Sequence, residues 1–220
     1  MLIGILGTAG SGKDTASEQL VREHGFYSLA LADPIKIYCE WMFGWNPKQL
    51  WGPSDKRNVV DATMNVSPRE VLQNLGDWAR GYKKDAYVDF ALFRVKIVQE
   101  YAVQSDPILF TIYHTVRKKR WTQALHKPAK HVVISDVRFK NEVEKIKKAG
   151  GKIIRLDRFD NSMKTTATKD DIFKHISESE QANIDPQKID YVIINNGSKE
   201  DLYDALSTFV RGRYRNNNNE

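Results

Sequence analysis

A chain of 220 residues with a formal charge of +6 and 41% apolar residues is long enough to bury a full core as one domain, with room for a small lid or insert. No run reaches the roughly eighteen consecutive apolar residues of a membrane span, and the N-terminus has no basic region followed by a long hydrophobic segment, so neither a spanning helix nor a secretory signal is expected. The single Cys39 cannot form an internal disulfide, which fits a reducing, cytoplasmic setting, and its neighbours Ile35, Ile37, Trp41 and Met42 predict a packed core thiol.

The chain opens on Leu2 to Leu6, an apolar run suited to a buried strand, followed by the glycine-rich turn Gly7 to Thr15 and a helical pattern with Ala16, Leu20 and Val21 on one face. Strand, glycine-rich loop, Lys and helix is the setting of a phosphate-binding loop. Gly10 and Gly12 let the backbone curl so that several N–H groups point at one anion, and the helix N-terminus adds its positive end. Lys13 places a full charge on the outer phosphates. Asp14 stands where the metal-binding hydroxyl of the strict P-loop pattern would be, and Thr15 follows one residue later.

Phe26 to Ala32 reads as a second strand, ending at Asp33-Pro34, where a helix can start with Pro in its first turn. Lys36 falls in that turn, close to the carboxyl end of the strand, the edge at which open α/β sheets bind ligands. Trp45 to Val66, with Pro47, Gly52 and Pro53, reads as an irregular excursion. Ser67-Pro68-Arg69-Glu70 announces a helix with Ser67 as N-cap and Glu70 completing a capping box, and Val71, Leu72, Leu75, Trp78 and Ala79 form its apolar stripe. Arg69 is opposed by the helix dipole there, which leaves two readings open: an anion nearby, or an exposed Arg. Ala86 to Ala102 is a helix whose aromatic residues, Tyr87, Phe90, Phe93 and Tyr101, are expected in the core.

Ser105 to Lys130 holds an apolar ILFTIY run and then a basic one, HTVRKKRWTQALHKPAKH through His131; it reads as a loop or lid ahead of a nucleic-acid-binding segment. The chain's basic excess lies mainly in Arg117 to Lys130 and in Arg211, Arg213 and Arg215, and suits a polyanionic ligand, nucleotide or nucleic acid alike. His131 to Ser135 is the next strand, with Asp136-Val137-Arg138 at its carboxyl end, where a P-loop fold carries its second acidic residue near the metal and the reacting phosphates. A helix with Val143, Ile146 and Ala149 stops at Gly150-Gly151. Lys152 to Leu156 is a fourth strand leading to Arg158, then come a polar stretch, a helical segment around His175 to Glu178, a last strand at Tyr191 to Ile194 and a closing helix over Lys199 to Val210. The low-complexity end predicts a disordered tail over 211–220. Five strands separated by helices imply an α/β fold of the P-loop NTPase type, a three-layer arrangement with a five-stranded parallel sheet and helices on both faces.

With these residues in place, the chain resembles the phage-type deoxynucleoside monophosphate kinases, in the nucleoside monophosphate kinase branch of P-loop proteins. The match is carried by GTAGSGKDT at 7–15, ADPIK at 32–36, SPREVLQNLGDWAR at 67–80, ISDVRFKNE at 134–142, HISE at 175–178 and IINNGS at 193–198, in an order that spans nearly the whole chain. The resemblance implies transfer of the ATP γ-phosphoryl group to a deoxynucleoside monophosphate, in nucleotide supply for DNA synthesis, within one kinase domain over 1–210: a monophosphate-binding region at about 33–104, a flap at about 105–130 and a lid at about 158–178. It implies that Gly10, Ser11, Gly12, Lys13, Asp14 and Thr15 hold ATP, with Thr15 and Asp14 at Mg²⁺, and that Lys36, Arg69, Gly76, Asp77, Tyr87, Asp136, Arg138 and Glu142 surround the monophosphate. Lys13, Arg138 and the lid-side Arg158 are its implied catalytic residues. The expected partners are ATP and the monophosphate, with no membrane, nucleic acid left open by the basic insert, a homodimer allowed, and a host cell's cytoplasm as the setting if the protein is viral. Two departures are the 105–130 insert and Tyr87 at an aromatic position. Rival readings are another small-acceptor P-loop kinase of the phosphomevalonate or dephospho-coenzyme A type, or a nucleic-acid-binding P-loop ATPase, against which no strand here ends in a paired Asp-Glu.

Overall fold

The N-terminal apolar run forms strand β1 (Leu2–Leu6), buried along its whole length, in a computed structural model that describes residues 1–102, 105–106, 108, 127–159, 181 and 184–217, with side chains described except at 54 and from 213 on. The insert between 109 and 126, the greater part of the lid region and the HISE stretch lie outside the described residues. The chain divides into two compact units, Met1–Ala30 with Lys130–Glu220, and Leu31–Ala129.

The first unit is built on a five-stranded sheet in the order β2-β3-β1-β4-β5, with β2 at Tyr27–Leu29, β3 at Val132–Val137, β4 at Lys152–Asp157 and β5 at Tyr191–Ile194. Every pairing is parallel, so all five carboxyl ends lie on one edge. Alternation of side chains along β1 sends Ile3 and Ile5 to one face, where they pack with Ala16 and Leu20 of α1 (Lys13–His24) and with Leu202, Leu206 and Phe209 of the closing helix. Gly4 points to the other face, where a Cβ would stand 2.9 Å from Ile153 and 3.0 Å from Ile146. The bare backbone there lets the helix bearing Ile146 sit directly on the central strand.

The second unit is helical: α2 (Asp33–Phe43), α3 (Pro47–Trp51), α4 (Ser54–Arg57), α5 (Pro68–Tyr82) and α6 (Ala86–Glu100). Cys39, Trp45 and Leu50 are buried at its centre, with Phe43, Trp51, Val71, Leu72 and Leu75 packed on them. Cys39 is a core thiol, as expected, and burial pushes its pKa up to about 11. Among the described residues the first unit also holds the α-helices α7 (Lys140–Lys148) and α8 (Lys199–Asn217).

Several expectations need correction. The second strand spans Tyr27–Leu29 rather than Phe26 to Ala32, because it pairs with β3 only from Tyr27↔Val132 to Leu29↔Ile134 before the chain turns into α2. Trp45 to Val66 is ordered, not irregular. Asn46 caps α3 by accepting the N–H groups of Lys48 and Gln49 while Gln49 returns a bond to the Asn46 N–H. Asp61 then gathers the N–H groups of Thr63 and Met64 and the indole of Trp45. Ser67 caps α5 through the Glu70 N–H at 3.2 Å, half of the expected box. Trp78 is 64% exposed and stacks edge-on with Tyr82 instead of entering the core. On α6 the buried face is Val88, Ala91, Arg94, Val95 and Val98, while Phe93, and Tyr101 just past the helix end, are exposed. The closing helix runs past Val210 to Asn217, taking in much of the stretch read as tail.

Candidate active site

The carboxyl edge of the sheet gathers the chemistry of the first unit. Because β1 lies between β3 and β4, with Leu6 paired to Val137 and to Arg155, the loop after β1 is flanked by Asp136 and Arg138 on one side and by Arg158 on the other. The loop turns through left-handed glycines, Gly10 at φ 82° and Gly12 at φ 98°. At Gly12 a Cβ would also collide with the side-chain amide of Asn195, so both backbone and space demand glycine there. Gly12 is the N-cap of α1 and offers no side-chain acceptor, which leaves the first-turn N–H groups of the helix for an anion.

The Lys13 ammonium donates to the carbonyls of Gly7 at 2.6 Å and Thr8 at 2.5 Å, folding back over its own loop. Its pKa is lowered to about 8, first by burial and then by the Arg138 guanidinium, against the opposing pull of Asp14 and Asp136. Arg138, Asp14 and Asp136 therefore lie near enough to bear on the Lys13 charge. Ser11 is buried, and its hydroxyl has no hydrogen-bond partner among the described residues.

Glu142 is 3% exposed, and one carboxylate oxygen accepts the N–H groups of Arg138 at 2.8 Å and Phe139 at 3.0 Å. That carboxylate closes the start of α7, where Phe139 offers no side-chain acceptor of its own. Glu142 thereby shapes the turn that presents the exposed Arg138. Arg158 is exposed immediately after β4.

Sequence reading missed two residues here. Asn195 donates from its buried side chain to the Ser11 carbonyl at 2.8 Å and from its backbone to the Asp157 carbonyl at 2.7 Å. Asn196 accepts the N–H of Phe159, next to Arg158, at 2.9 Å. The pair after β5 thus holds the phosphate loop and the chain at Arg158. Its signal was the IINNGS block, which reads as a turn until the sheet order sets β5 beside β4.

The residues implied for the monophosphate, other than Asp136, Arg138 and Glu142, belong to the second unit. Lys36, in the first turn of α2, lies over the Trp51 ring at 5.7 Å. Arg69, in the first turn of α5, reaches Asn58 at 3.3 Å. Gly76, Asp77 and Tyr87 fall together: the Tyr87 hydroxyl donates to the Leu75 carbonyl at 3.1 Å, its ring lies under Arg80 at 5.3 Å, and Arg80 pairs with Asp77 at 3.2 Å. A Cβ on Gly76 would press on the Arg80 guanidinium at 3.1 Å. Arg80 was missed, although its place three residues after Asp77 on a helix carries the signal for that pair.

For a cation, the donors at hand are the partly exposed Thr15 hydroxyl, the exposed Asp14 and the partly exposed Asp136. No group of three or more His, Cys, Asp or Glu converges among the described residues. That set fits Mg²⁺, which takes one or two protein oxygens and completes its octahedron with phosphate oxygens and waters. No helix among the described residues is long and apolar enough to cross a membrane.

No family model matches the chain. Over 213 residues it is 30% identical to a protein of Acanthamoeba polyphaga mimivirus assigned in its name to deoxynucleotide monophosphate kinase, with 96% of each chain covered. Solved structures similar to it include shikimate kinase from Aquifex aeolicus, at 15% identity and TM-score 0.42 over 97% of this chain and 98% of that one. Dephospho-CoA kinase from Campylobacter jejuni is another, at 16% identity and TM-score 0.45 over 98% of each. At those scores neither bears on function.

Proposed function

Because the chain belongs to the deoxynucleotide monophosphate kinase family, we propose that it transfers the γ-phosphoryl group of ATP to the phosphate of a deoxynucleoside monophosphate, giving ADP and the deoxynucleoside diphosphate. The observation that carries this reading is the Lys13 ammonium seated in the glycine loop at the start of α1, within the field of Arg138, Asp14 and Asp136. An acceptor phosphate is already ionised near neutral pH, so the reaction needs no strong general base. Catalysis rests on aligning donor and acceptor and on supplying positive charge where the transferring group develops negative charge.

The loop N–H groups from Gly10 to Thr15 bind the ATP phosphates, and Lys13 neutralises the outer ones. Arg138, aimed by Glu142, and Arg158 add charge to the transferring group. Thr15 and Asp14 would hold Mg²⁺, with Asp136 beside them; when bound, the ion would supply positive charge to the reacting phosphates. Lys36 and Arg69 bind the acceptor phosphate, and Gly76, Asp77 and Tyr87 shape the rest of its site. The viral relative supports a role in supplying precursors for DNA synthesis within a host cell's cytoplasm.

The test is ADP release from ATP against a panel of deoxy- and ribonucleoside monophosphates, with dephospho-coenzyme A, phosphomevalonate and single-stranded DNA as further arms. Turnover that depends on a deoxynucleoside monophosphate is expected. Release that depends on one of the other additives, or on none, would replace this reading.

A further inference from the structure

Arg94 of α6 is among the largest side chains of the described protein to be fully buried, at 1% exposure. Its Nε donates to Asp106 Oδ1 at 2.8 Å and its Nη2 to Oδ2 at 3.0 Å, a two-pronged pair, while its Nη1 lies 3.5 Å from Asp33 Oδ2. Both carboxylates are 3% exposed. Asp106 belongs to the chain leaving α6 and also accepts the Ile108 N–H at 3.0 Å. Asp33 is the first residue of α2, and the turn it starts carries Lys36, whose N–H is bonded to the Ala32 carbonyl at 3.1 Å. Seven residues before Arg94, on the same face of α6, Tyr87 holds α5 through the Leu75 carbonyl.

Stability is a weak reason for keeping this cluster. A buried guanidinium with two carboxylates recovers little beyond its desolvation cost, and apolar residues of similar volume commonly do as well or better. What the planar fork supplies is a fixed geometry. We propose that Arg94 is a positioning residue for the acceptor: it locks the first turn of α2, and with it the Lys36 ammonium, to α6 and to the start of the 105–130 segment. This rests on the reading of Lys36 as a ligand of the acceptor phosphate. Displacing such a group by about an ångström is enough to change catalysis by orders of magnitude.

The experiment measures steady-state kinetics on the full chain for Asp106→Asn, Arg94→Lys, Lys36→Ala and the double variant Lys36→Ala/Asp106→Asn, with thermal melts alongside. Asp106→Asn and Arg94→Lys are expected to raise the KM for the deoxynucleotide about fivefold or more while the KM for ATP stays within about twofold. Asp106→Asn should add nothing to Lys36→Ala, because it acts through Lys36. Unchanged KM values in folded variants, or effects that add in full to Lys36→Ala, would overturn the proposal and leave the cluster a purely structural one. A silent Lys36→Ala would instead remove the acceptor-site reading itself, and this inference with it. A measurement on the unaltered protein covers variants that fail to fold: saturating deoxynucleotide should slow hydrogen exchange in the first turn of α2 and in the peptide carrying Asp106 together. Slowing in neither would also overturn it.

Discussion

Lys13 sets the pH behaviour of the phosphate loop. Its folded pKa, about 8, lies below that of a free lysine, so between about pH 8 and 10.5 the folded protein has lost a proton that the unfolded chain keeps. The group's contribution to stability therefore rises with pH across that window, whereas phosphate binding, which needs the cation, falls. In the wild type, kcat/KM for ATP is expected to decline above about pH 8, and ATP binding at pH 8.5 should take up a proton as the phosphates restore the charge. Calorimetry in buffers of different ionisation enthalpy measures the uptake, which Lys13→Met should abolish together with at least about 10²-fold in turnover. Asn195 gives a second outcome. Asn195→Ala leaves the Ser11 carbonyl without its buried donor, at about 1–3 kcal/mol, and is expected to weaken ATP binding by roughly tenfold or more in titration while the deoxynucleotide KM holds. Arg69 belongs to the acceptor side. Arg69→Ala should raise the deoxynucleotide KM or lower turnover by well over about tenfold, with ATP affinity in the absence of acceptor near wild type, and Arg69→Lys should recover part of the loss, since an ammonium cannot grip phosphate oxygens with two prongs.

Among the elements, legibility followed the strength of local signals. β1 and the loop after it could be read because apolar run, glycines, Lys and helix succeed one another without a gap, and α5 because Ser67-Pro68 marks its start. α3 carried a comparable signal in Asn46-Pro47 and Gln49, an N-cap, a first-turn Pro and a capping-box partner, but the prolines and glycine around it suggested irregular chain. Asn46→Ala should cost about 1 kcal/mol, measured by urea denaturation; no loss at all would mean that Asp61, rather than the cap, holds this segment. The burial of Arg94 was illegible, since a charge is bought into a core only by partners distant in sequence, here Asp33 and Asp106. Exposure of Trp78 and Phe93 was hidden for the converse reason: composition gives an aromatic residue a preference for the interior, while the helix face that ends up inside is chosen by packing.

In the molecule as a whole, the parallel sheet followed from alternating strands and helices, but its order did not, because spacing does not say which strands become neighbours. That order decides the site. It flanks the loop with Asp136 and Arg138 on one side and Arg158 on the other, and it brings Asn195 against Ser11 from a distant part of the chain. The candidate residues of the second unit could be named from short blocks, yet their contacts, Lys36 on Trp51 and Arg80 between Asp77 and Tyr87, come only with the fold. If this chain moves a phosphoryl group between two nucleotides, radiolabel from γ-labelled ATP will follow it. With a deoxynucleoside monophosphate present, label should appear in the β-position of the deoxynucleoside diphosphate, and Lys13→Met, folded by circular dichroism, should transfer it at least about 10²-fold more slowly. Label released only as inorganic phosphate, or moved equally well by Lys13→Met, would mean that the chain is not a nucleotide kinase working through this loop.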